Sequence, residues 1–179
     1  MESKPHVIRT LRIPSTLDLG LQKLAQERNS SVNALAENAL TRFFEFDRHE
    51  DELDYTSIPR ALLVKAFDYL SDDEVRDLGL RSDSVSMIEF VLLYHQEADL
   101  YAILNAYQMR AKYTGAFKFH HSSEGRYHTI LLNHNMGVKW SVFFEASLRE
   151  VFHKLLGIEL KTEPSANFVI GRFTLDSRC

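Results

Sequence analysis

The chain has 179 residues, 45 % of them hydrophobic and 26 % charged, with a formal net charge of −4. This is globular material for one domain or two small ones. Its sole cysteine, Cys179, excludes an intrachain disulfide framework or a cysteine-rich zinc site; no apolar run is long enough to span a bilayer and no signal-peptide core is found, so a cytoplasmic protein with no membrane partner is expected.

His6 to Ile13 alternates imperfectly and predicts a strand. Leu11 and Ile13 point one way, with Arg9 an ill-fitting third; Ile8, Thr10 and Arg12 point the other. Pro14 cannot donate to a ladder and ends the strand. Ser15 is the expected N-cap of a first helix, with Asp18 as its capping-box acid. Leu17, Leu21, Leu24 and Ala25 line one face of that helix, and Gly20 weakens it locally. Asn29-Ser30-Ser31 breaks it. Ser30 or Ser31 then caps a second helix, in which Val32, Leu35, Ala36, Ala39, Leu40, Phe43 and Phe44 form an unbroken apolar stripe.

A lone strand has two unpaired edges, and a segment this short rarely buries enough apolar surface to fold by itself. A second copy answers both needs: the strands pair antiparallel and the helices close over the ribbon's inner face. The order strand, helix, helix resembles the ribbon-helix-helix DNA-binding family of the MetJ/Arc/CopG type, over about a quarter of the chain. The resemblance implies a homodimer on double-stranded DNA, with the outer face of the ribbon in the major groove. Carried over by position, it implies base contacts from Ile8, Thr10 and Arg12. Thr10 and Arg12 suit base edges; Ile8 departs from the usual polar type and would touch a thymine methyl or lie outside the groove. It also implies a phosphate clamp at the start of helix two, on Ser30, Ser31, Val32 and Asn33, where free N–H groups and the helix dipole favour an anion. Residues 1–48 hold seven Lys/Arg against six Asp/Glu, a net of +1 that leaves −5 for the rest. Lys4, Arg9 and Arg12 against Glu2 make a local basic patch, so electrostatic steering is expected to be modest.

Asp47 to Asp54 is the densest acidic run and the natural boundary, and residues 49–58 read as an acidic linker. Residues 59–176 read as an α+β domain. Pro59 suits a first helical turn, and Leu62, Leu63, Ala66, Phe67 and Leu70 mark a helix face. Ser71 and Glu74 form a capping box for a short helix closed by Gly79. A third helical region starts near Asp83, with Val85, Ile88, Val91, Leu92, Leu100, Ile103, Leu104 and Tyr107 along it and a break near Gln96. Gly115 ends it. The next segments flank Ser122-Ser123-Glu124-Gly125 as a hairpin loop. A long helix follows from Gly137 to Leu156, stopped by Gly157, and Ile158 to Lys161 with Asn167 to Phe173 reads as a second hairpin. The expected fold class is α+β: an N-terminal ribbon-helix-helix, a helical segment, then hairpin-helix-hairpin with an antiparallel sheet under the long helix.

In element order this second part is similar to small-molecule-binding sensor domains of the 4-vinyl-reductase type. Its string His134, Gly137, Lys139, Trp140, Ser141 also looks like that of uncharacterised archaeal regulators, and implies no ligand. Five histidines, His120, His121, His128, His134 and His153, fall close together. A hairpin turning about Glu124 sets His120 across from His128, with His134 of the same parity, so three imidazoles would share a face. Three such rings can hold zinc, copper, nickel or iron; the same face carries Ile130 and Leu132, and hydrogen-bonded structural histidines satisfy the pattern equally. No nucleophile with a base and no phosphate-cradling glycine loop stands out, so no catalytic residue and no cofactor is assigned. The expectation is a dimeric transcriptional regulator, its second part adding dimer or tetramer contacts or sensing a small-molecule effector. Two other classes stay open: an antitoxin-like interaction protein, and a metal-dependent enzyme using the histidines.

Overall fold

The computed structural model describes residues 7–49, 52–53, 56–95 and 97–175. Lys4, residues 50, 51, 54 and 55 of the expected acidic linker, Gln96 and Cys179 lie outside the described residues. The chain divides into two compact units, 1–48 and 49–179.

In the first unit regular structure begins at a proline. Pro14, at φ −58° and ψ 142°, offers its carbonyl to the N–H groups of Leu17 and Asp18 at 3.0 and 3.1 Å. Helix α1 therefore starts at Ser15 and runs to Glu27. Ser15 is its first residue and not its cap, and the expected capping box is absent: Asp18 accepts from Gln22 Nε2 at 2.7 Å instead. The helix closes through Asn29 in the left-handed region, φ 48°, with the Ser30 N–H on the Ala25 carbonyl at 2.9 Å. Helix α2 spans Val32–Glu45, and Ser31 is its cap, its side chain accepting from the Ala34 N–H at 3.1 Å. The expected strand before α1 is corrected. Val7 to Pro14 carries no regular structure in the single chain, because a strand exists through its ladder and no strand among the described residues pairs with this segment.

The second unit is α+β. Helix α3 (Arg60–Asp68) leads to α4 (Asp72–Leu78), whose Ser71–Glu74 capping box is formed as expected. Gly79 does not end α4. Its backbone is helical, and a Cβ there would lie 2.4 Å from the Phe143 carbonyl oxygen. The glycine lets two backbones approach. The chain passes through a π-helical stretch, Gly79–Asp83, into α5 (Ser84–Tyr94), so the helical run continues from Asp72 to Tyr94. Helix α6 (Leu100–Thr114) is capped by Asp99 and stopped by left-handed Gly115.

Strands β1 (Lys118–Glu124), β2 (Tyr127–Asn133), β3 (Lys161–Pro164) and β4 (Phe168–Thr174) make one antiparallel sheet in the order β1-β2-β4-β3. The first turn is shorter than expected. Ser122, Ser123 and Glu124 belong to β1, which leaves only Gly125 and Arg126 between Glu124 and Tyr127; Gly125 takes φ +58°. Strand β3 starts later than expected, at Lys161, and takes in Glu163 and Pro164, which pair with Ile170 and Val169; Leu160, just before it, is buried. Helix α7 (Val138–Leu156) packs on β3 and β4 and also on α4, the π stretch and α5. Phe119, Ile130, Leu132, Val169 and Phe173 form the buried sheet face. Phe152 of α7 meets Phe173 at 5.3 Å between ring centres.

Candidate nucleic-acid interface and the tail histidines

Ile8, Thr10 and Arg12 are all exposed, Ile8 at 93 %. Neither Arg9 nor Arg12 has an ion pair among the described residues, so both guanidiniums keep their donor forks open. At the start of α2, Ser31 Oγ takes the Ala34 N–H and the Ser31 carbonyl takes the Leu35 N–H. The first-turn N–H groups of Val32 and Asn33 have no intrahelical acceptor and carry the positive end of the dipole. Ser30 is spent differently: its own N–H closes α1. Around these groups the unit leaves much apolar surface uncovered. Leu11, Ile13, Leu17, Leu40 and Phe43 each expose between 42 % and 64 % of their surface, and no residue of α2 is fully buried.

The three tail histidines singled out by parity are not brought together. The register pairs His120 with Leu131 and His128 with Ser123. His120 therefore points to the opposite sheet face from His128, and His134 lies past the end of β2. The cause is the turn, which is centred between Gly125 and Arg126 and not on Glu124, so the partner of His120 is Leu131 and not His128. Among the described residues no group of three His, Cys, Asp or Glu side chains is placed to hold a metal. His121 is the ring that meets His128: its Nε2 lies 2.9 Å from His128 Nδ1. Burial, and then the neighbouring His128, lower the His121 pKa below its ordinary value.

His134 is 3 % exposed. Its Nδ1 accepts from the Met136 N–H at 3.1 Å, and its Nε2 lies 3.0 Å from Ser141 Oγ. Ser141 Oγ donates to the Ser165 carbonyl, which leaves the ring as the donor at Nε2. Burial lowers its pKa from 6.5 to about 4. The rest of the string around it is also accounted for by packing. Gly137 takes φ 89° at the head of α7. Lys139 Nζ donates to the carbonyls of Asp68, the last residue of α3, and of Leu70 just beyond it. Trp140 stacks on Phe67 with centroids 4.1 Å apart.

One polar cluster went unread in the sequence. Asp83 is buried at the end of the π stretch. Its carboxylate takes Arg110 Nη2 and Ser147 Oγ, each at 2.6 Å, tying α6 and α7 to the π stretch. Tyr107 is buried in the same region, where desolvation and then the Asp83 charge push its phenol pKa up. A signal was there: Arg110 sits three residues beyond Tyr107 on an apolar stripe, and Ser147 falls between Phe144 and Val151 on another. A charge at a core position calls for a partner. No family model matches the sequence, and no curated protein matches it either.

Proposed function

We propose that the chain is a sequence-specific DNA-binding regulator that acts as a homodimer. Two copies of Val7 to Ile13 pair as an antiparallel ribbon, which enters the major groove. Thr10 and Arg12 read base edges, Ile8 lies against a thymine methyl or at the groove margin, and the Val32 and Asn33 N–H groups hold a phosphate. The observation that carries this reading is the uncovered apolar surface of the first unit. Side chains of that size left in water form a patch that marks an association surface, and ribbon pairing covers it with the same elements that lack a ladder. The second unit supports a regulator over an antitoxin-like interaction protein. It has its own sheet and buried core, whereas a toxin-masking tail is commonly disordered alone.

The test has two parts. Sedimentation of the purified protein should give a dimer. Binding sites selected from a random DNA library should then lose about 1–3 kcal/mol of affinity in Arg12→Ala, as expected for a bidentate base contact. A monomer at all concentrations, or a selected site bound equally well by Arg12→Ala, overturns the assignment.

A further inference from the structure

We propose that His121 and His128 form a two-imidazole site for a borderline divalent transition metal, Cu2+ before Ni2+ and Zn2+. The site stands on geometry and is independent of the DNA reading. The register pairs His121 with Ile130 and His128 with Ser123, so the two histidines are diagonal neighbours on one sheet face. Their rings lie within 16° of parallel with centroids 5.2 Å apart. That spacing is about two ring radii plus the 2.9 Å gap between Nε2 and Nδ1, so the two nitrogens face each other edge to edge.

Two nitrogens each about 2.0–2.1 Å from one metal, at adjacent corners of a square-planar or tetragonal ion, lie about 2.9 Å apart. The pair already has that separation, and binding requires only that the rings tilt so both lone pairs meet at the ion. His121 is exposed and free to tilt. His128 is the fixed member, its ring stacked on Phe173 at 4.9 Å, and Phe173 is anchored in the core. A fixed ring plane raises ligand quality in the way an outer-shell partner does. Water fills the remaining corners. The proton now shared between the facing nitrogens moves through solvent to the far nitrogen of its own ring. Both imidazoles stay neutral, and the only groups released are waters from the metal. Imidazole donors favour these ions over Mg2+ or Ca2+, which take oxygen ligands.

The experiment uses the full chain carrying Cys179→Ser, so that the terminal thiol cannot ligate. Calorimetric titration with Cu2+ should show one equivalent, with two nitrogen couplings in its electron paramagnetic resonance spectrum. Ni2+ and Zn2+ should bind more weakly and Mg2+ not at all. His121→Ala and His128→Ala should each abolish the copper equivalent. His120→Ala, on the other face of the same strand, should keep it. Copper binding that survives in both His121→Ala and His128→Ala, or is lost equally in His120→Ala, overturns the proposal. Should a variant fail to fold, imidazole nitrogen resonances of the parent decide: broadening by Cu2+ centred on His121 and His128 supports the site, and broadening centred elsewhere overturns it.

Discussion

His134 shows how one side chain's contacts set its chemistry. Nδ1 faces the Met136 N–H, a donor, and Nε2 donates to Ser141. A second proton on Nδ1 would set donor against donor inside the core, and burial resists the charge. The folded ring titrates near 4 against 6.5 in the ordinary state. Between those values the unfolded chain binds a proton that the folded chain does not. The stabilisation is therefore complete above pH 6.5 and is lost as pH falls toward 4, by at most about 1.4 kcal/mol per pH unit. Urea unfolding followed from pH 7.5 to pH 4.5 should show this slope, and His134→Gln should flatten it. An unchanged slope in the variant would assign it to other groups. None of this was legible in the letters, because parity within β2 says nothing about a residue beyond the strand's end. Arg110 and Ser147 are the opposite case. Each interrupts an apolar stripe, and each has its partner in Asp83.

At the scale of elements, helices were more legible than their ends, and strands more legible than their register. Periodicity marked α2, α6 and α7 because a buried face must recur with the helical turn. Gly79 was misread as a stop, since the same residue serves helix ends and close helix crossings. Only the approach of α7 distinguishes the two uses. The consequence is measurable: Gly79→Ala places a methyl 2.4 Å from the Phe143 carbonyl oxygen, and the flanking backbones must part. A loss of about 1–3 kcal/mol is expected for such overpacking. If Gly79 were a helix stop in a helical conformation, alanine would instead raise stability by helix propensity. Chemical denaturation decides the sign. The hairpin makes the same point for strands. With the turn centred between Gly125 and Arg126 and not on Glu124, the partner of His120 shifts by three residues, from His128 to Leu131, which sends His120 to the other face and puts His121 beside His128; the metal pair depends on that register.

For the whole molecule, the letters do not say what covers the apolar surface of the first unit. The stripe of α2 was plain in the sequence, yet a single chain leaves Leu40 and Phe43 more than half exposed. Nothing in the order of residues says whether such a stripe meets its own chain or another. If a second copy covers it, Leu40→Glu together with Phe43→Glu places two carboxylates in an apolar interface, each costing several kcal/mol unless it is paired or protonated. A small obligate interface does not tolerate that, and the dimer should dissociate in sedimentation. The second unit has its own core, built on Phe90, Leu148 and Phe152, and its cooperative unfolding should persist in the variant. DNA binding should fall with the dimer, because neither strand of the ribbon has a ladder without the other. The alternative outcome is equally informative. A double variant that stays dimeric would place the subunit contact in the second unit, and the first unit's exposed stripe would then have to be covered by something other than its own copy.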